Sequence, residues 1–334
     1  MDAFSSLRDV YRGRLVLITG GLGFMGVNLA AGLYQMGAQI RLLDIVWPEH
    51  IKHLTSMLGQ MEFVKADLRD EQSVEAAIDG CDWIFNLAGR SGAVASNSLP
   101  SGAYDDLDVN CRGQLSLLEM CRKHNPKVKI VFSSSRLVYA PTVELPVAET
   151  APTEPRSIYG IHKLTAEKYH CLYARLYGLP TTVLRITNPY GPHQRPEQQC
   201  YGIINWFIHL TLSGQSIPIY GDGHQTRDYI HIEDVVQAFL IAGADGRSEG
   251  QVFNVGSGKP TRLVDMAHMI VEHAGSGRVE HIPWPMAAQQ SESGDFIADV
   301  TQISQMLGWH PRIPLGEGLR QTIGYYRDYY HKKI

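Results

Sequence analysis

A short apolar run that ends in a glycine-rich turn and leads into a helix is the feature that most limits how this chain can fold. The run Arg14–Thr19 has the composition of a buried strand, and residues 24–36 have a helical pattern. Between them, Gly20, Gly23 and Gly26 allow a tight turn and a close approach of the backbone to another group. Because free N–H groups at a helix start bind phosphate, the turn is predicted either to bind a dinucleotide or to be a turn of the same shape without a ligand.

Strand and helix signals alternate through the first half of the chain, which is typical of an α/β fold with helices on both faces of a parallel sheet. We predict a nucleotide-binding domain at 1–185 and a smaller α/β substrate-binding lobe at 186–334, with room for the chain to cross back into the first domain. The strand patterns lie at 40–44, 63–64, 83–86, 129–132 and 182–186, and the helical patterns lie at 107–122, 159–177, 232–244, 262–273, 301–307 and 315–330.

Composition and charge exclude several classes of function. Lys and Arg total 30 against 34 Asp and Glu, and the absence of a long basic run argues against a nucleic-acid or membrane surface. The longest apolar run, about Ile203–Leu212, is too short to span a bilayer. The five cysteines form no Cys-x-x-Cys pair, so we predict no metal site, no disulfide framework and a cytoplasmic location.

Asp44 lies 24 residues after Gly20, at the end of the second predicted strand. A carboxylate at this position can accept hydrogen bonds from both hydroxyls of an adenosine ribose, and it would repel a 2′-phosphate. No arginine follows within residues 45–47, so the sequence favours NAD over NADP. The alternative is an aspartate that only caps a loop.

Tyr159 and Lys163 lie one helical turn apart and follow a strand that ends in Ser135. A phenol with its usual pKa of about 10 is a poor base at neutral pH, but an ammonium and a positive nicotinamide ring would together lower that pKa. The hydroxyl of Ser135 could then share the substrate's proton. A second pair of the same spacing, Tyr329 and Lys333, has no such strand before it.

These motifs resemble those of the extended short-chain dehydrogenase/reductase family, and within it the nucleotide-sugar epimerases and dehydratases. The resemblance covers nearly the whole chain. The strand end at 133–139 and the segment 159–163 are similar to those of UDP-galactose (UDP-glucose) 4-epimerases, and 185–192 and 221–231 are similar to segments of the same enzymes. The family has a Rossmann-type, doubly wound parallel sheet, and its members imply a homodimer formed through helices near 104–124 and 159–177.

The resemblance implies which residues contact NAD and which contact a nucleotide-diphosphate sugar, with UDP as the expected nucleotide. Arg227 is expected on the diphosphate, with an ion pair to Asp228 or Asp222 as its alternative. The substrate residues would be Ser135, Asn188, Arg195 and Arg227, of which Arg195 could meet a substrate carboxylate. The residues expected to bind NAD are Gly20, Gly23, Phe24, Met25, Gly26, Asp44, Asp67, Leu68, Leu87, Ala88, Gly89, Asn110, Tyr159 and Lys163.

Two residues limit which of the family's reactions the chain is expected to catalyse. Dehydratases of the family have an acidic pair directly after the catalytic hydroxyl residue, and decarboxylases have a glutamate at its second position, whereas this chain has Arg136 and Leu137. We therefore predict a UDP-sugar 4-epimerase that oxidises its substrate transiently, with Ser135, Tyr159 and Lys163 catalytic and Tyr159 as base. The alternatives are a 2-epimerase, a uronate 4-epimerase, a net dehydrogenase or 4-ketoreductase, and an NAD-sensing protein without activity.

One departure from the family pattern concerns the diphosphate. Many epimerases have an arginine just before the Gly-Asp pair that is Gly294-Asp295 in this chain, which instead has Glu292 and Ser293. One contact to the diphosphate is therefore expected to be missing.

Overall fold

The computed structural model describes residues 3–47, 59–90, 102–141, 144–194, 202–286, 289, 292 and 294–331. Its centre is a seven-stranded sheet in which every neighbouring pair is parallel. The strands are β1 (Leu15–Thr19), β2 (Gln39–Asp44), β3 (Glu62–Lys65), β4 (Trp83–Asn86), β5 (Lys129–Ser135), β6 (Thr181–Ile186) and β10 (Val252–Val255), in the order β10-β6-β5-β4-β1-β2-β3.

Helices cover both faces of this sheet, because its strands are apolar on both sides. One face of the sheet forms a hydrophobic core with a first group of helices. The other face forms a second core with a second group. The first group is α1 (Ala3–Tyr11), α2 (Phe24–Gln35), α8 (Ile232–Ala244) and α10 (Thr301–Leu307), and the second is α3 (Glu71–Ile78), α5 (Gln114–His124) and α6 (Ile158–Tyr177).

The strand order reverses between β1 and β4, and this reversal indicates where a ligand would bind. In an open parallel sheet, ligands bind at the carboxyl ends of the strands beside such a reversal. The glycine turn follows β1, and residues 87–90 follow β4. The predicted fold class, a doubly wound Rossmann-type sheet, is confirmed.

A smaller lobe from the second part of the chain stands beside the carboxyl ends of the sheet. The third hydrophobic core of the protein lies among the helices and strands of this lobe. The elements are β7 (Asn188–Tyr190), α7 (Ile203–Leu212), β8 (Ser216–Tyr220), β9 (Thr226–His231), β11 (Pro260–Arg262), α9 (Leu263–Ala274), β12 (Arg278–Ile282) and α11 (Leu315–His331). They form the sheets β11-β9-β7 and β12-β8.

The chain crosses between the two lobes more than once. Strand β10 belongs to the later part of the sequence, yet it pairs with β6 in the large sheet. The division at residue 185 stays a prediction. Within the described ranges, no helix is both long enough and apolar enough to cross a membrane.

The predicted helix 107–122 is wrong in its detail. The segment consists of α4 (Gly102–Leu107), a π-helical stretch at Asp108–Gly113, and then α5. A π-helix holds one extra residue per turn, which the apolar period of the sequence does not reveal. The stretch carries Asn110, one of the residues expected at the cofactor.

Candidate active site

The glycine turn after β1 is pressed against the segment that follows β4. Gly20 has a φ of +64°, and a Cβ atom added there would lie 2.9 Å from the Cα of Ala88. Gly23 is the N-cap of α2, and its N–H donates to the Gly20 carbonyl at 3.0 Å. A Cβ on Gly26 would collide with that same carbonyl. Only glycines allow this shape, which leaves the first N–H groups of α2, from Phe24 and Met25 onwards, at the turn.

Asp44 ends β2 with its carboxylate beside the turn. One oxygen accepts the N–H of Leu22 at 3.0 Å, and the other accepts the N–H of Val46 at 3.3 Å. The carboxylate therefore does cap a loop, which was the alternative to ribose binding. Each oxygen still has a second lone pair, so capping and ribose binding are compatible.

Asp67 and Leu68 follow β3 on the next strand of the sheet. The side chain of Arg69 donates to Asp67 at 3.0 and 2.7 Å, and this pairing holds the pKa of Asp67 below its usual value. Leu68 is buried. Arg69 was not expected from the sequence, because its bond to Asp67 depends on a side-chain conformation that no motif encodes.

Leu87, Ala88 and Gly89 form a floor that hydrogen bonds hold from below. The N–H of Ala88 donates to the Thr19 hydroxyl at 3.1 Å, and its carbonyl accepts from Gln114 at 2.9 Å. A Cβ added at Gly89 would lie 2.6 Å from Oδ1 of Asn110 and 3.8 Å from Nζ of Lys163. The structure thus brings together Gly89, Asn110 and Lys163, which lie far apart in the sequence.

The predicted catalytic residues meet where β5 and α6 adjoin. The Ser135 side chain lies close enough to Tyr159 to affect its pKa, while Ser157 caps the start of α6. Burial raises the pKa of Tyr159 to about 12, the Ser135 side chain opposes this, and Asp106 adds to it. The expected lowering of this pKa is therefore not present in the protein chain by itself.

Lys163 is buried, with Nζ 4.5 Å from the centroid of the Phe132 ring. Burial lowers the pKa of Lys163 to about 8, and the negative charge of Asp106 is the largest effect in the opposite direction. At neutral pH the protein thus holds a neutral phenol at Tyr159 and a largely protonated amine at Lys163.

Asp106 and His162 are site residues that the sequence reasoning missed. Oδ1 of Asp106 lies 2.7 Å from Nδ1 of His162 and accepts from Asn110 at 2.7 Å. Asn110 in turn bonds the N–H and the carbonyl of Arg90, at 3.0 and 2.9 Å. The only available signal was a histidine directly before Lys163.

On the substrate side, Asn188 links the two lobes. Its amide donates to the carbonyl of Asp228 at 2.9 Å, and its oxygen accepts from Nε of Arg136 at 3.3 Å. The guanidinium of Arg136 also lies 5.4 Å from the centroid of the Phe296 ring. Arg136 was considered only as a missing acid, so its contact with a predicted substrate residue is new.

Arg227 is only 11% exposed and pairs with Glu292. It also donates to the carbonyls of Thr226 and Gly294, at 3.0 and 2.8 Å. The alternative partners Asp228 and Asp222 are wrong. The carboxylate of Asp228 is fully buried and accepts the N–H groups of residues 257, 258 and 298.

Arg195 lies outside the described residues, so its expected contact with the substrate stays a prediction. Arg185 is buried and bonds Glu167, the Tyr139 hydroxyl and the Glu149 carbonyl, so it supports the end of the strand.

Comparisons with known proteins place these features in one class. Residues 16–256 match the model of the NAD dependent epimerase/dehydratase family. The chain belongs to this family of NAD-dependent enzymes that act on nucleotide sugars, and NAD is its cofactor.

Individual relatives include enzymes with different reactions. A putative UDP-glucose 4-epimerase of Methanocaldococcus jannaschii is 32% identical, over 94% of this chain and 99% of the relative. A dTDP-glucose 4,6-dehydratase of Streptomyces niveus is 29% identical, over 94% and 93%. The structure of UDP-glucose 4-epimerase from Thermotoga maritima with UDP-glucose superimposes with a TM-score of 0.85, at 31% identity over 95% and 99% of the two chains.

Proposed function

We propose that this protein is a nucleotide-sugar 4-epimerase that oxidises and re-reduces carbon 4 of a UDP-sugar. The observation that carries the proposal is the proximity of Ser135 to Tyr159, beside the buried amine of Lys163 and the floor at Gly89. A hydroxyl, a phenol and an ammonium in this order suit the removal and return of one substrate proton.

The residues around the glycine turn fit NAD, since a Cβ at Gly20 or Gly26 would fill the space that the backbone needs. Gly23, Phe24 and Met25 would offer N–H groups to the pyrophosphate, Asp44 would accept from the ribose, and Asp67 and Leu68 would border the adenine. Leu87, Ala88, Gly89, Asn110, Tyr159 and Lys163 would line the nicotinamide end. NAD supplies a positively charged ring that accepts a hydride and gives it back.

The protein's own part is to hold the sugar and move the proton. Ser135 would bond the oxygen on carbon 4, and Tyr159 would take its proton. Because the pKa of Tyr159 is raised to about 12, mainly by burial, the phenol needs the positive charges of Lys163 and of the cofactor next to it to act as a base. Tyr159 would return the proton after the keto sugar has turned.

Arg136 and Leu137 argue against the other main reaction of the family. A 4,6-dehydratase must eliminate water, which requires an acid and a base besides the tyrosine. A guanidinium stays protonated and an alkyl group transfers no proton, so these two positions supply neither. An epimerase needs no further acid. The 2-epimerase, 4-ketoreductase and NAD-sensing alternatives use the same cofactor residues and are separated from this proposal by experiment.

Arg227 and Asn188, with Arg195, would hold the diphosphate so that the sugar alone rotates. Arg227 presents a planar guanidinium of the kind that binds phosphate oxygens through two donors. We also propose a homodimer. Apolar side chains on α4 and α6 are exposed in the single chain, at 75% for Tyr104 and 51% for Ile161, which supports a partner covering them.

The test is interconversion of UDP-glucose and UDP-galactose by the purified protein without added NAD. Tyr159→Phe should lower kcat by about 1,000-fold, because the proton acceptor is lost while the packing is kept. Tyr177→Phe, at the exposed end of the same helix, is the matched control and should leave kcat unchanged. Net production of NADH, or full activity of Tyr159→Phe, would contradict the proposal.

A further inference from the structure

The side chain of Arg136 lies between the proposed catalytic serine and the substrate lobe. It directly follows Ser135 in the turn after β5, so the two Cα atoms are about 3.8 Å apart. Its Nε donates to Asn188 at 3.3 Å, and its guanidinium stands over the ring of Phe296. Arg136 is therefore fixed at the place where the proposed function puts the sugar.

Among the described residues, the charges that act on Arg136 are those of one cation, Arg227, and of two carboxylates, Glu292 and Asp228, which favour its charged form. The pKa of Arg136 is lowered to about 10, mainly by burial and next by electrostatic repulsion from the guanidinium of Arg227. Glu292 pairs with Arg227, and Asp228 is occupied by three backbone N–H groups and the Ser257 hydroxyl. Two partly buried cations that repel each other are stabilised when anionic groups bind between or beside them.

The two cations differ in position. Arg227 lies on β9 of the smaller lobe, beside the carbonyl of Gly294. Arg136 lies at the end of β5 in the large sheet, next to Ser135. If Ser135 bonds the oxygen on carbon 4, then Arg136 reaches the sugar, and Arg227 is left for the diphosphate.

We propose that Arg136 binds a carboxylate carried by the sugar, so that the substrate is a nucleotide-linked sugar acid. The inference rests on the proposed function and narrows its substrate class. In a hexuronic acid the carboxylate is attached to carbon 5, the direct neighbour of carbon 4, and is thus within reach of a side chain beside Ser135. A planar guanidinium matches a planar carboxylate through two parallel hydrogen bonds.

The experiment compares UDP-glucuronate, UDP-glucose and UDP alone on the wild-type protein and on Arg136→Gln and Arg136→Lys. Turnover gives kcat/KM, and calorimetry gives the affinities. The wild-type protein should prefer UDP-glucuronate. Arg136→Gln should lower kcat/KM for UDP-glucuronate by about 100-fold, the effect of removing one partner of a buried charge pair, and change it for UDP-glucose by less than about threefold. Arg136→Lys should recover part of the loss.

The affinity for UDP alone separates sugar binding from diphosphate binding. It should be unchanged in Arg136→Gln. Arg247→Gln, an exposed arginine near the opposite ends of β6 and β10, is the control for surface charge and should behave as the wild type in every arm.

Other outcomes overturn the inference in distinguishable ways. Equal losses for both sugars and for UDP would make Arg136 a diphosphate ligand, and equal losses for both sugars with UDP binding kept would make its role structural. A wild-type preference for UDP-glucose would exclude the sugar acid while leaving the epimerase proposal intact. Tight, Arg136-dependent binding of UDP-glucuronate without turnover would uphold the inference and overturn the proposed reaction.

Discussion

The cofactor side and the substrate side of the site are built in different ways. On the cofactor side, the glycine turn is built from contacts between backbone atoms, as where Gly20 meets Ala88 and where Gly23 donates to Gly20. On the substrate side, charged side chains from separate elements meet, as Arg227 does with Glu292. A backbone site depends on the fold and a side-chain site depends on single residues, so substrate choice can change while the cofactor stays the same.

A cofactor site built from backbone requires that the glycine turn tolerate no side chains. Gly20→Ala and Gly178→Ala both place alanine at a φ near +65°, so both should lose about 1–2 kcal/mol of unfolding free energy. Only at Gly20 does the new Cβ press on Ala88, whereas at Gly178 no atom of the described residues lies within 4 Å of it. We expect Gly20→Ala to weaken NAD binding about 100-fold, from loss of about two charge-assisted hydrogen bonds to phosphate. Calorimetry with NAD and thermal unfolding check this.

Equal NAD affinity in the two alanine variants would show that the turn does not hold the pyrophosphate. A loss of folding in Gly20→Ala alone would instead place the constraint on the fold. The unfolding measurement separates these two results.

The contrast also explains what the sequence could reveal. Gly20, Asp44, Ser135 and Tyr159 stand at the ends of elements with visible periodicity, so their neighbourhood follows from the order of strands and helices. The bond between Arg227 and Glu292 joins residues 65 positions apart, and it depends on where a loop of the small lobe returns. No local sequence pattern encodes such a contact. The contact between Asp106 and His162 likewise has no local signal.

The π-helical stretch around Asn110 is an intermediate case. The helix was visible from its apolar residues, but the extra residue per turn was not, because it changes the register without changing the composition. Through this register Asn110 reaches both Asp106 and the backbone of Arg90.

Asp106 supplies the negative charge behind the proposed catalytic pair, Tyr159 and Lys163. Asp106 is the main group that raises the pKa of Lys163 against burial, so Asp106→Asn should lower that pKa from about 8 by about one unit. Since the protonated amine is the active form, activity is lost as the pH rises through this value. The alkaline limb of the kcat/KM profile should therefore move about one unit to lower pH, with about fivefold less activity at pH 8.

Asp105→Asn is the matched control for this experiment. Asp105 is the neighbour of Asp106 on α4, but its side chain is exposed and pairs with Arg90. The alkaline limb should therefore stay in place. His162, Cys111 and Glu167 also face Asp106 or Lys163, and they are unchanged in both variants. An identical pH profile in wild type and Asp106→Asn would mean that Lys163 does not set the limb.

A weaker effect is expected on the substrate side of the site. Glu292 pairs with Arg227 at the place where the family resemblance puts the diphosphate. Its carboxylate therefore competes with phosphate oxygens for the same donors. Glu292→Gln should strengthen UDP binding by about threefold to tenfold, measured by calorimetry at low salt, because a neutral amide competes less.

The position of Glu292 makes this result informative in either direction. Glu292→Gln leaves the backbone contacts of the cofactor side untouched, so the affinity for NAD should not change. Weaker binding of UDP would mean that Glu292 orients Arg227 for the diphosphate instead of occupying its donors. The pair would then be a preformed part of the receptor, and the missing arginine of the family pattern would be replaced by better positioning of the remaining one.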